Sequence, residues 1–280
     1  MTINLDLVGK DLKPIEFSYT EKDVILFALG VGAGILPHEL KYVYENELEV
    51  LPMFAVIPPF PAFYSFMDED GFSINPVSIL HGEHYLEVYQ EIPLKDKVVS
   101  YPVITGIYDK IKSALIEIEA TTWSSNKEKL FLNRFSIYVR GEGGFGGERG
   151  PLRHNIELEK PSDYTFSEAT SPQQAMLYRL SGDRNPLHID PSFSSLAGLE
   201  KPILHGLSTF GFAGRAIIAS CCVQNNAKIK NLKARFSNYV YPGETLITEI
   251  WEHNPGVIKF QCTVGERSIL CLTNGEAIIG

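Results

Sequence analysis

Between residues 180 and 190 the chain reads Leu-Ser-Gly-Asp-Arg-Asn-Pro-Leu-His-Ile-Asp, which gathers an acid (Asp183), an amide (Asn185) and an imidazole (His188). Pro186 fixes its own φ and biases Asn185 away from the helical region, so the backbone must turn here. Three hydrogen-bonding or proton-handling groups on one turn can be aimed at a single small molecule such as water. Further on, Leu204-His205-Gly206 opens a run of small and apolar residues that reads as a buried helix. A helix start offers unpaired N–H groups and the positive end of the dipole to an anion. An acid/base pair beside an anion-stabilising amide is the chemistry these residues propose.

Other uses of the same residues fit less well. Asp183-x-Asn185 has the opening of a calcium loop, but His188 stands where that loop needs glycine and Ser194 where it needs glutamate. A zinc site needs a third ligand, for which His205 is the nearby candidate, so no metal is expected. A serine nucleophile is disfavoured because the chain lacks a Gly-x-Ser-x-Gly elbow. Acid/base work on a bound water remains, with Asp183 and His188 exchanging protons and Asn185 holding the water. That chemistry requires no cofactor.

Composition sets the outer limits. The chain has 280 residues, 44% hydrophobic and 21% charged, which suits one large or two modest globular domains with a real core. A net charge of −9 argues against a nucleic-acid or anionic-membrane partner. No apolar run reaches the ~18 residues expected of a membrane span. Residues 1–30 lack the pattern of a secretory signal, and the final Ala-Ile-Ile-Gly is not a peroxisomal tripeptide. Cys221, Cys222, Cys262 and Cys271 all fall in apolar segments without Cys-x-x-Cys spacing, so buried free thiols are expected.

The elements that must position the chemistry can be read in order. Residues 3–19 are short and mixed. Thr20-Glu-Lys-Asp23 has the form of a capping box and predicts a short helix ending at Gly30, followed by a flexible turn through Gly32 and Gly34. That turn is not a dinucleotide fingerprint, since no strand precedes it. A helix is expected over residues 38–51, and irregular chain through the prolines at 52, 58, 59 and 61. Leu80-His-Gly82 then leads into alternating strand patterns over 84–92, 98–108, 113–121 and 130–140, an antiparallel meander. The glycine-rich run 141–150 reads as a loop or linker. It divides the chain into residues 1–150 and 151–280.

The second half replays the first. Ser171-Pro-Gln-Gln174 caps another short helix, Leu204-His-Gly206 matches Leu80-His-Gly82, and strands follow over 229–236, 244–251, 257–264 and 268–279. The copies differ between their motif and first strand. After Gly206 comes a stretch to residue 222 that is small and apolar almost all round, a helix to be wrapped on most sides by a curled sheet. The first copy passes from Gly82 straight into a strand, so it lacks this helix, and the volume left free could take an acyl chain. It also has Gly32 and Gly34 roughly where the second has Asp183 and Asn185, which leaves one active site per chain.

Three segments carry a family resemblance: Ser181-Gly-Asp-Arg-Asn-Pro-Leu-His-Ile-Asp-Pro191, Pro202-Ile-Leu-His-Gly-Leu-Ser-Thr-Phe-Gly-Phe212, and Lys233-Ala-Arg-Phe-Ser237 with Val240-Tyr-Pro-Gly-Glu-Thr245. Over nearly its whole length the chain resembles the (R)-specific 2-enoyl-CoA hydratases, the hydratase 2 family of peroxisomal multifunctional enzyme type 2. The resemblance implies an α+β double hot-dog fold, two curled antiparallel sheets with the long central helix complete only in the C-terminal copy. It also implies a trans-2-enoyl-CoA substrate, a (3R)-3-hydroxyacyl-CoA product, a homodimer, a peroxisomal location and fusion to a dehydrogenase in a longer chain. Asp183, Asn185 and His188 match the family's catalytic motif, and Gly206 matches the backbone donor to the thioester oxygen. His81, Gly82, Lys110 and Phe236 match positions that contact the acyl-CoA. Read on their own, Lys110 could equally be a solvated strand end and Phe236 ordinary core. A dehydratase of fatty-acid synthesis, a hot-dog thioesterase and a non-catalytic acyl-CoA-binding protein are the alternative readings.

Overall fold

The structure, a computed structural model, describes residues 3–70, 72, 74–151, 158, 160–224 and 227–280. Ten strands form one antiparallel sheet: β1 (Ile15–Tyr19), β2 (Ile79–Val88), β3 (Asp96–Asp109), β4 (Ser113–Trp123), β5 (Lys129–Arg140), β6 (Tyr164–Ala169), β7 (Ile229–Phe236), β8 (Thr245–Asn254), β9 (Val257–Val264) and β10 (Ile269–Ile279). Their order is β1-β3-β4-β5-β2-β7-β10-β9-β8-β6. Read outward from the middle, each half has the same sequence of connections, so the duplication is written into the topology. The halves join where β2 pairs with β7, with Leu86 opposite Leu232 and His84 opposite Ala234 on the buried face. On the outer face of that seam Glu83 lies 3.6 Å from Lys233 and 3.5 Å from Arg235. This is the double hot-dog arrangement.

Five α-helices occur among the described residues: α1 (Glu21–Gly30), α2 (Ala62–Ser65), α3 (Gln174–Tyr178), α4 (Pro191–Leu196) and α5 (Gly206–Ile217). Asp23 starts α1 as the capping motif predicts, its carboxylate accepting the Thr20 N–H at 2.8 Å. The central helix α5 continues as a π-helical turn over Ile218–Cys222, and every residue from Leu207 to Ile217 is buried. Its glycines are points of close approach. A Cβ on Gly211 would lie 2.4 Å from Val31, and one on Gly214 would lie 2.6 Å from Met53. The first copy therefore packs directly on the helix of the second.

Polar groups tie the same contact. Arg215, wholly buried on α5, donates to Glu39 through Nε at 2.7 Å, to the Val31 carbonyl at 2.8 Å and to Glu168 at 2.9 Å. Gln174 and Ser208 donate to the Gly30 carbonyl at the end of α1, at 2.7 and 3.0 Å. These bonds satisfy carbonyls that a helix C-terminus leaves without partners.

Several local expectations are corrected. Residues 38–51 hold only a 3-10 turn, Pro37–Tyr42, followed by irregular chain. Leu80-His-Gly82 lies inside β2, at a bulge between His81 and Glu83. The edge strands β1 and β6 were not anticipated. The glycine-rich run is the expected loop, but it is anchored: the Asp109 carboxylate accepts the N–H groups of Gly144 and Gly146 at 2.9 and 2.8 Å and fastens it to the end of β3. Nor does the first copy leave its sheet bare. A 3-10 turn over Pro52–Val56 packs on β2, β5 and α5, burying Met53, Phe54, Ala55 and Val56. The four cysteines are buried and free.

Candidate active site

The turn carrying the acid, the amide and the imidazole is built by its own side chains. Asp183 Oδ1 accepts the Asn185 N–H at 3.1 Å, and Asn185 Oδ1 accepts the Leu187 N–H at 3.0 Å. Two Asx-type bonds in succession fold the chain into a 3-10 turn over Pro186–His188. His188 Nδ1 lies 2.9 Å from the Ile203 carbonyl. A carbonyl only accepts, so Nδ1 carries the proton and the Nε2 lone pair of the neutral ring is left facing Asp183.

Asp183 Oδ2 and His188 Nε2 are 3.9 Å apart. That is too long for a direct hydrogen bond, yet it suits an oxygen set to one side at about 2.8 Å from each. Burial raises the Asp183 carboxyl above its usual range, against the opposing pull of His188 and of the Asn185 N–H. Burial lowers His188, against the opposing effect of Asp183 and the Ile203 carbonyl. The two shifts favour a neutral imidazole as proton acceptor and bring the carboxyl nearer to being a proton donor.

His205 supports this pair from behind. Its ring stacks on His188 with centroids 3.7 Å apart and planes at 25°, and its Nε2 donates to the Asp183 carbonyl at 3.1 Å. The next residue, Gly206, opens α5, so its N–H belongs to the unpaired first turn. A Cβ there would come within 3.1 Å of the Phe236 ring, and glycine keeps the approach to that amide open. Potential ligand atoms of Asp183, His188 and His205 lie within 4.8 Å of one another. The imidazoles are nearly parallel, however, so their in-plane lone pairs run side by side instead of converging on one ion at about 2.1 Å.

Asp183, Asn185, His188 and Gly206 open on one cavity of about 670 Å³, which His81, Gly82 and Phe236 also line. His81 packs between Phe63 and Phe236, at 4.9 and 4.7 Å between ring centroids. Burial holds its imidazole well below the usual range, hence neutral. Gly82 makes room for Tyr138, whose ring would lie 2.4 Å from a Cβ at that position. Lys110 is not among the cavity residues. It stands at the β3–β4 turn, donating to the Arg149 carbonyl, and is linked through Ser113 to Arg140 at the cavity rim.

Residues 17–141 match the family described as MFE-2 hydratase 2 N-terminal domain, and residues 154–273 match the MaoC like domain. The peroxisomal enoyl-CoA hydratase 2 of Arabidopsis thaliana is 38% identical, over 94% of this chain and 91% of its own length. This chain belongs to the enoyl-CoA hydratase 2 family of enzymes. The peroxisomal multifunctional enzyme type 2 of Mus musculus is 42% identical, but the match spans 95% of this chain and only 37% of that protein. Among solved structures, a MaoC-like dehydratase from Phytophthora capsici superposes with a TM-score of 0.86 at 28% identity, over 99% of this chain and 98% of its own.

Two residues of the candidate site carry no clear signal in the sequence. By sequence alone His205 is a possible metal ligand, and its place beside Gly206 is the one signal that makes it a neighbour of the turn. Tyr64 lies 121 residues before Asn185 and in contact with it. It follows an irregular proline-rich stretch, where no periodicity says which way a side chain faces.

Proposed function

We propose that the chain hydrates trans-2-enoyl-CoA reversibly to (3R)-3-hydroxyacyl-CoA, as a step of fatty-acid β-oxidation. The observation that carries this reading is the 3.9 Å gap between Asp183 Oδ2 and His188 Nε2, opening on the same cavity as the first amide of α5. A thioester carbonyl accepting the Gly206 N–H has negative charge stabilised on its oxygen as C3 is attacked. His188 Nε2 takes a proton from water while the water oxygen bonds to C3. Asp183 delivers a proton to C2 from the same side, giving syn addition. The resulting imidazolium and carboxylate then exchange the proton and restore the starting forms. Asn185 holds the attacking water, and the acyl chain lies among Phe60, Phe63 and Leu207. In the reverse direction the same groups dehydrate a 3-hydroxyacyl thioester.

Relatives named as peroxisomal enzymes support a peroxisomal site of action, and the multifunctional ones support fusion to a dehydrogenase in a longer chain. A homodimer belongs to the same reading. The test is chiral analysis of the product from trans-2-decenoyl-CoA, with loss of the enoyl-thioester absorbance followed in parallel. The (3R) alcohol is expected. A (3S) product, or release of free CoA thiol without hydration, would overturn the proposal.

A further inference from the structure

The turn of the second copy is not complete by itself. The Asn185 amide has a fixed orientation, because its Oδ1 accepts the Leu187 N–H, and so its Nδ2 is the end that meets the Tyr64 hydroxyl at 3.3 Å. Tyr64 comes from α2 of the first copy. Its ring is set edge-on to Phe63 and Phe60, with centroids 4.8 and 6.1 Å away, and it lines the same cavity. The hydroxyl accepts from Asn185, so its own proton is left to donate toward the cavity. Burial, and then the Asp183 carboxylate, push its pKa up to about 12, so that proton stays in place throughout the neutral range.

We infer that Tyr64 is a positioning residue of the hydration site, acting through Asn185 to fix where the attacking water sits. The active site is then a composite of both copies, not the property of the second alone. This rests on the hydration reading above. One N–H of the Asn185 amide is occupied by Tyr64, and the other is directed by that contact. Without it the amide is held only by its Oδ1 bond to the Leu187 N–H, so the direction of the remaining N–H is set less tightly and the water loses a preset partner. A side chain that only lined the acyl pocket would have a different signature, since its effect would grow with the length of the chain.

The variant is Tyr64→Phe, which keeps the ring and its packing and removes only the hydroxyl. Hydration of crotonyl-CoA and of 2-decenoyl-CoA is measured on the full chain after wild-type turnover has been established. A fall in kcat of about ten-fold on both substrates, with KM within about two-fold, is expected for one lost positioning bond. In an Asn185→Ala background the Tyr64→Phe change should have little further effect, because the relay is already cut. A loss confined to the long substrate, a rise in KM alone, or full additivity with Asn185→Ala would overturn the inference. If Asn185→Ala leaves too little turnover to measure, the comparison of chain lengths decides. Absence of hydration by the wild type would instead strike the reading of the reaction itself.

Discussion

His188 and His205 lie face to face, ring centroids 3.7 Å apart, and only one of them faces the carboxylate of Asp183. The second imidazole occupies the space behind the first and excludes water there. Burial lowers His205 strongly, with His188 next in effect, so it stays neutral beside its partner. A neutral stack allows His188 to serve as a base below the usual histidine range. The acid limb of kcat/KM should therefore fall below pH 6.5, as apparent values of the Asp183–His188 pair and not of either residue. A pH–rate profile whose acid limb lies at or above 6.5 would contradict this arrangement.

Removing either proton-handling group should leave the fold intact and the chemistry crippled. Asp183→Asn and His188→Gln are each expected to lower kcat by roughly 10²–10⁴-fold. Circular dichroism would check the fold while turnover is measured. Near-wild-type rates in either variant would remove that residue from the mechanism.

The amide of Gly206 can be separated from its lack of a side chain. Proline is accepted at the first helical position and has no N–H, so Gly206→Pro deletes the donor while α5 still starts. Gly206→Ala keeps the donor and adds a Cβ 3.1 Å from the Phe236 ring. A drop of about 10²-fold or more in kcat is expected for the proline variant and a much smaller one for alanine. Equal losses would mean that crowding of Phe236, and not the donor, explains both.

Four histidines, His81, His84, His188 and His205, are held neutral by burial, and His84 is lowered to about 3. In the unfolded chain each would take up a proton as pH falls through 6.5, whereas the folded protein resists it. Unfolding therefore binds protons, and stability falls with acidification, by about 1.4 kcal/mol per pH unit for each histidine in that window. Urea unfolding at pH 7 and pH 5 should show a clear drop. Equal stability at the two values would refute neutral burial.

Arg215 tests the junction between the copies. Replacing it with methionine keeps much of the volume but leaves Glu39 and Glu168 without their partner, at a cost of roughly 3–5 kcal/mol. Adding Glu39→Gln and Glu168→Gln should recover part of that loss in thermal melts. No recovery would show that packing, not charge, sets the penalty.

Much of this was legible from residue order. Alternating strands, the small and mostly apolar helix after Gly206 and the Asp183–Asn185–His188 turn are local patterns, and local patterns survive without knowledge of the fold. The Thr20–Asp23 cap worked for the same reason. What escaped was set by distant contacts. The edge strands β1 and β6 have only five and six residues, too few for alternation to stand out. Met53 and its neighbours fill the space beside α5 in 3-10 turns, which have no periodic signature. Tyr64 was invisible because its meaning lies in Asn185, supplied by the other copy.

Pairing β2 with β7 also has a bearing on solubility. Two separate five-stranded sheets would show four raw edges to the surroundings, and the seam hides two of them in the middle of the molecule. The margins that remain, β1 and β6, are short, and short margins are poor templates for runaway strand addition. Doubling the chain thus protects each half from the sticking hazard it would carry as a free-standing unit.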